Sequence, residues 1–267
     1  MTDPKTPSNQ LKTTQDKFLG GKVIVEQPAK GRHRAGLDAV YLAASLPEDT
    51  TGTVFDLGTG VGTAAFCAAQ RLQQIKAVGV EVDPVTAELA RKALSLPGNV
   101  AFADRVKIME TDLTAKGAQR HESGLASSIA DHVIMNPPYY DSARFRVTPH
   151  SDRAPAHALD ERGIEPWIRT AKDLLKDGGT LSIIFRADGL QDLLDPMQRR
   201  FGAIDIVPIR PTAEAPATRI LVRAVAASKA PLQILPGFTL HEQSGGAFTP
   251  QATAVMREGK GLGLTNR

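Results

Sequence analysis

Cysteine is almost missing from this 267-residue chain, which has one, Cys67. A lone thiol forms no internal disulfide and cannot build a cysteine-based zinc cluster, so both scaffolds are excluded. Cys67 itself lies in an alanine-rich segment and reads as a packing residue. Also missing is any apolar run close to the roughly 18 to 20 residues that a bilayer-crossing helix needs. Met1 to Asp16 is polar where a secretory leader would be apolar, so the expectation is a cytoplasmic protein. Charge of one sign is scarce too. Thirty-two Lys and Arg against 29 Asp and Glu leave a formal net charge of +3, which permits an anionic partner without demanding one. His33, His121, His150 and His157 lack the spacing of metal ligands, and no metal is expected. What is present is 42% hydrophobic residues, enough for a sizeable core, in a composition that excludes disorder and collagen.

Residues 1–17 show no periodicity and are expected to form a mobile arm ahead of one domain at 18–267. Alternation over Lys22 to Gln27 predicts a short strand. A basic turn from Ala29 to Gly36 follows, then Asp38 as the N-cap of a helix through Ser45. From Thr53 onward, strand and helix alternate. Strands are expected at Thr53 to Leu57, Lys76 to Val82, Arg105 to Met109, Ile129 to Met135 and Thr180 to Arg186. Helices are expected at Thr63 to Gln74, from Asp83-Pro84 to about Leu94, and at Glu165 to Lys176 before the stop Gly178-Gly179. Leu113 to Ser128 carries no assignable pattern. This alternation predicts an α/β fold with a doubly wound parallel sheet. Ala203 to Arg210 and Thr218 to Ala226 are separated only by a proline-rich turn, too short for a crossover, so the sheet should end in an antiparallel hairpin.

The first strand of that series runs into Asp56-Leu57-Gly58-Thr59-Gly60-Val61-Gly62. The spacing G-x-G-x-G differs from the G-x-G-x-x-G of nicotinamide cofactors and from a P-loop. Glycines remove Cβ atoms where the backbone must turn sharply and approach a ligand, and the helix that follows aims its amide dipoles there. With no basic residue in the loop, a ligand with an amino-acid end fits better than a pyrophosphate. Glu81 ends the next strand, where a carboxylate can accept both ribose hydroxyls of an adenosine. Asp83, before Pro84, is better explained by helix capping. Asp112, after the third strand, can accept from an adenine amino group or merely cap a turn.

Asn136-Pro137-Pro138-Tyr139 ends the fourth strand, which neighbours the first in a doubly wound sheet and faces the glycine loop at the switch point. Two prolines remove backbone donors and leave carbonyls to accept from a substrate. Asn136 adds a neutral acceptor, and Tyr139 a flat apolar face. This set suits an exocyclic amino group whose lone pair is delocalised. Acceptance of its N–H groups by Asn136 and the Pro137 carbonyl draws the nitrogen toward tetrahedral geometry and restores the lone pair.

Together these residues resemble the S-adenosylmethionine (SAM) dependent amino-group methyltransferases that carry an Asn-Pro-Pro-Tyr motif, whose sheet has seven strands ending in an antiparallel hairpin. Leu19-Gly20-Gly21-Lys22-Val23, Arg34-Ala35-Gly36-Leu37-Asp38-Ala39-Val40 and Pro216-Ala217-Thr218-Arg219 look more specifically like the bacterial adenine-N6 methyltransferases of a valine-accepting tRNA. The resemblance implies that Asp56, Gly58, Gly60, Glu81 and Asp112 hold SAM, and that Arg34 to Asp38 border its methionine end. It further implies that Asn136, Pro137 and Tyr139 hold an adenine of RNA. The main alternative is a glutamine N5-methyltransferase acting on a release factor or ribosomal protein, since a carboxamide nitrogen poses the same electronic problem. Those enzymes carry a helical N-terminal domain that the residues before Thr53 do not suggest. Local clusters would have to grip an RNA, and the candidates are Lys30, Arg32 and Arg34 with Arg144, Arg146 and Arg153. Trp167, at helical spacing from Leu174, reads as core.

Overall fold

The computed structural model describes residues 12–29, 36–138 and 163–265. Two antiparallel strands, β1 (Thr13–Phe18) and β2 (Val23–Pro28), come first. Part of the stretch expected as a mobile arm is therefore a strand. Helix α1 (Leu37–Ala44) is N-capped by Gly36, which corrects the expectation for Asp38. Asp38 lies inside the first turn, and its Oδ2 accepts from Arg219 Nε at 3.0 Å.

The main sheet grows by alternation, as expected. Strand β3 (Gly52–Leu57) leads to α2 (Thr63–Arg71), β4 (Ile75–Glu81), α3 (Pro84–Ala93) and β5 (Val106–Glu110). The unassigned polar stretch then contains a short helix, α4 (Gly117–Glu122), before β6 (Ala130–Met135). Helix α5 (Glu165–Leu174) and β7 (Leu175–Arg186) follow. Gly178 and Gly179 fall inside the span of β7, where the pairing with β6 jumps from Leu175 to Thr180, so they form an irregularity and do not stop the helix. Helix α6 (Leu190–Met197) precedes β8 (Phe201–Arg210) and β9 (Arg219–Ala226).

Strands β3 to β7 are parallel and β9 is antiparallel to both β7 and β8, giving the order β5-β4-β3-β6-β7-β9-β8. The sheet does not end at seven strands. Short β10 (Gln233–Ile234) and β11 (Phe238–Thr239) both pair with β8. Two-residue strands carry no period, which is why no alternation announced them.

Apolar side chains cover the sheet on both faces. One face packs against α1, α2, α3 and β2, and it also takes in Phe238, Val255, Leu262 and Ala252 of α7 (Pro250–Thr253). The other packs against α5 and α6, with Leu113 and Leu125. Arg71, at the end of α2, ties the C-terminal residues to α1. Its side chain is 1% exposed and donates to Ala43 O at 2.6 Å and Gly259 O at 2.8 Å, while Leu262 N donates to Ala44 O at 2.9 Å. No helix among the described residues is long and apolar enough to cross a membrane.

The β1–β2 hairpin is attached by Asn99, which is fully buried and acts as one more strand partner for β2. Its amide nitrogen donates to Ile24 O at 2.6 Å and Ala93 O at 2.7 Å, and its Oδ1 accepts from Ile24 N at 2.9 Å. Removing the side chain strands buried backbone groups, so Asn99→Ala is expected to cost about 3 kcal/mol. Urea unfolding followed by far-UV circular dichroism measures this as a lower midpoint at unchanged slope.

Candidate active site

The glycine loop occupies the carboxyl tip of β3, and its conformation is fixed from β4. Gly58 N and Thr59 N both donate to Val80 O at 2.9 Å. Glu81, 8% exposed, accepts Gly60 N through Oε2 at 2.9 Å and the amides of Val82 and Asp83 through Oε1, each at 2.9 Å. Sequence reasoning placed Glu81 at the strand tip toward a ribose; it did not foresee that the same carboxylate orders the loop.

The three loop glycines take left-handed φ values of +71°, +58° and +90° at Gly58, Gly60 and Gly62. They serve different ends. A Cβ on Gly62 would stand 2.6 Å from the Phe66 ring, and one on Gly58 would stand 2.5 Å from Cη2 of Trp167, so at both positions a neighbour occupies the space. A Cβ on Gly60 would meet nothing within 4 Å. The open side of the loop is therefore at Gly60, beside Glu81. An open glycine next to a strand-tip carboxylate, with no cation in the loop, fits a neutral nucleoside joined to an amino acid.

Asp56, 2% exposed, lies beneath the loop and accepts from Thr59 Oγ1 at 2.6 Å and Ala65 N at 3.1 Å, both on Oδ2. It thereby joins the loop to the first turn of α2. Burial pushes its carboxyl up from an ordinary 3.8 to about 6, against the pull of those two hydrogen bonds.

Asp83 is the N-cap of α3, its Oδ2 accepting from Thr86 N at 3.0 Å and from the Thr86 hydroxyl. The capping explanation holds. Asp112 is exposed and its Oδ1 accepts from Thr114 N and Thr114 Oγ1, each at 2.7 Å. That is a side-chain turn and not a helix cap, because the next helix, α4, begins at Gly117.

Leu57 of β3 and Met135 of β6 are register partners, so Gly58 and Asn136 are the first residues beyond one rung, roughly 5 Å apart across the sheet. Asn136 and Pro138 are half-buried and Pro137 is buried. Among the expected site residues, Asp56, Gly58, Gly60, Glu81 and Asn136 thus gather at the tips of β3, β4 and β6. Asp112 follows β5 at the same end, and Asp38 lies on α1 against β9. Tyr139 and Arg34 lie outside the described residues, as do Lys30, Arg32, Arg144, Arg146 and Arg153. Sequence reasoning missed three residues. Thr59 ties the loop to Asp56, Arg219 holds Asp38, and half-buried Trp167 covers Gly58 where a purely core role was expected. The placement of Trp167 in the first turn of a helix that starts at the carboxyl end of the parallel strands was the available signal. Among the described residues no group of three or more His, Cys, Asp or Glu side chains could hold a metal ion.

A doubly wound sheet closed by an antiparallel hairpin, with G-x-G-x-G at the tip of its central strand and an acidic residue ending the next, defines the Rossmann-like SAM-dependent methyltransferase class. The chain belongs to the methyltransferase small domain family, whose model matches residues 35–210. Curated relatives include the tRNA1(Val) (adenine(37)-N6)-methyltransferases of Porphyromonas gingivalis, 34% identical over 165 residues, and of Shewanella amazonensis, 30% identical over 154. These matches cover 60% and 58% of this chain, and 61% of the length of each relative. Among solved structures, a predicted O-methyltransferase from Agrobacterium tumefaciens is 34% identical with a TM-score of 0.70, covering 82% of this chain and 94% of that one. Pyrococcus horikoshii TYW2 in complex with MeSAdo shares the fold at 15% identity and a TM-score of 0.52, covering 82% of this chain and 73% of that one.

A pH effect follows from Asp56. Between 3.8 and about 6 the folded protein keeps a proton there that the unfolded chain has lost, so this contribution to stability is present below 3.8 and is lost as pH rises through about 6. Asp56→Asn keeps an oxygen able to accept both hydrogen bonds and does not titrate. The wild type is expected to lose stability relative to Asp56→Asn as pH is raised through that window, measured by urea unfolding of both proteins in a pH series.

Proposed function

We propose that this protein transfers the methyl group of SAM to the exocyclic N6 amino group of an adenosine in RNA, with tRNA as the substrate and the cytoplasm as the setting. The observation that carries this reading is the rung Leu57–Met135, which puts the open glycine loop and the Asn136-Pro137-Pro138 segment side by side. The names of the curated relatives support tRNA and N6. The Agrobacterium protein is named for an oxygen acceptor, but the segment after β6 supplies hydrogen-bond acceptors and no base at its own positions, which favours an amino group over a hydroxyl.

When bound, SAM supplies an electrophilic methyl group on a sulfonium that leaves as a neutral thioether. The chain's own residues then have to bind, align and polarise. In this reading Glu81 accepts from the ribose hydroxyls through Oε2, which has a lone pair left beside its contact with Gly60, and Asp112 accepts from the adenine amino group of the cofactor. Asp56, Gly58 and Gly60 shape the cradle, while Asp38, steadied by Arg219, and Arg34 border the methionine end. The Asn136 side chain and the Pro137 carbonyl accept the N–H groups of the target adenine, and Tyr139 stacks on its face. An adenine paired in a helix cannot present N6 to such a pocket, so the target lies in a loop and is splayed out.

Glu81→Ala is expected to weaken SAM and S-adenosylhomocysteine binding more than Asp83→Ala, because it removes the ribose acceptor and releases Gly60 together. Isothermal calorimetry decides the order. For the chemistry, loss of one well-placed transition-state hydrogen bond costs about 100- to 1000-fold in rate. Asn136→Ala is therefore expected to lose methyl transfer by that factor while calorimetry shows cofactor affinity within a few fold of native. Incubation with radiolabelled SAM and separate pools of tRNA, ribosomal RNA and release factor should label tRNA. Preferential labelling of the release factor would replace this reading with glutamine methylation.

A further inference from the structure

Every hydrogen bond described above holds the glycine loop from β3, β4 or α2. Val80 O takes the amides of Gly58 and Thr59, Glu81 takes Gly60, and Asp56 takes the Thr59 hydroxyl. Trp167 approaches from the other half of the sheet, on α5, the helix that connects β6 to β7. The six-membered ring of its indole fills the space a side chain on Gly58 would need, with Cη2 at 2.5 Å and Cζ3 at 2.8 Å from that Cβ position. The indole therefore rests on the Gly58 α-carbon in van der Waals contact.

This contact is built and not incidental. Ile164, Pro166 and Ile168 around it are all buried, which fixes the backbone of the first turn of α5, while Trp167 stays half-buried. An indole on a left-handed glycine blocks movement of the loop toward α5 and requires that position 58 stay bare. Gly58 is also the residue next to Asn136 across the β3–β6 rung.

We propose that Trp167 is a positioning residue for methyl transfer, clamping Gly58 from the acceptor half of the sheet so that the bound methyl donor and the Asn136 acceptor share one frame. The proposal rests on the methyl-transfer reading above. A displacement of about 1 Å in such a frame costs on the order of 100-fold in rate, which is far more than loss of a contact need cost in binding. The effect should therefore fall on kcat, whereas a purely structural tryptophan would lower stability and leave kcat per folded molecule intact.

Trp167 is the sole tryptophan of the chain, so its emission reports this contact without any labelling. Titration of the wild type with S-adenosylhomocysteine is expected to move the emission maximum to shorter wavelength as water leaves the indole, with the midpoint given by calorimetry. Trp167→Ala is expected to lower kcat for tRNA about 100-fold with KM for tRNA within threefold of native. Trp167→Phe, which restores part of the aromatic surface on Gly58, should recover only part of that loss and leave kcat about tenfold below native. If Trp167→Ala does not fold, the Trp167→Phe rate and the wild-type emission still decide. The assignment is overturned if kcat in the folded variants stays within threefold of native, or if emission is unmoved when calorimetry shows the site saturated. If calorimetry shows no binding to the wild type at all, the methyl-transfer reading fails first and the assignment falls with it.

Discussion

The Glu81 carboxylate does two jobs that pull the local structure together. One oxygen reaches across to Gly60 N, and the other closes the turn that leads into α3 by accepting the amides of Val82 and Asp83. A carboxylate can serve three amides at once only if strand tip, glycine loop and helix entry have settled into one arrangement. The loop cannot relax without leaving polar groups unpaired at a site that is 8% exposed, so its left-handed glycines are held in place by more than their own conformational freedom. Asp56 repeats the arrangement one strand over, joining Thr59 to Ala65 below the loop. The backbone on the open side at Gly60 is thus held by the protein's own hydrogen bonds, which lowers the ordering entropy that binding must overcome.

Much of this was legible in the sequence because the relevant signals are local. Alternation of apolar strand and amphipathic helix has a short period, and G-x-G-x-G with Glu81 and Asn136-Pro137-Pro138 each sits at a strand end where it can be read without knowing the rest. Asp83 before Pro84 announces a helix start by the same logic, and the N-cap contact to Thr86 bears it out. The failures are contacts between residues far apart in the chain. Asp38 was placed as a cap because nothing nearby hints at Arg219, its partner across the sheet. Trp167 was placed in the core because its helical spacing to Leu174 says which face is apolar, and not which residue the first turn will meet.

Strands too short to have a period were invisible for a different reason. β10 and β11 have two residues each, and β1 is largely polar, so their pairing is decided by the neighbour and not by their own pattern. The Gly178-Gly179 pair shows the same ambiguity. Glycines in tandem usually end a helix, but here a Cβ on Gly179 would stand 2.9 Å from Lys176 O and 3.0 Å from Asp131 O, so the pair forms a kink within a strand that only a bare α-carbon allows.

The bond from Leu262 N to Ala44 O, with Arg71 holding Gly259 beside it, joins segments separated by most of the chain. Helix α1 therefore lacks its outer cover until residues near 262 have emerged, although β3 to β9 already have everything needed to form a sheet. In a growing chain Tyr41 lacks the Phe238 ring and the Met256 sulfur that meet it in the finished protein. Long-range closure of this kind slows folding and lengthens exposure to aggregation. The outer cover of α1 is thus the part of the domain that a growing chain completes last, because it needs residues near 262.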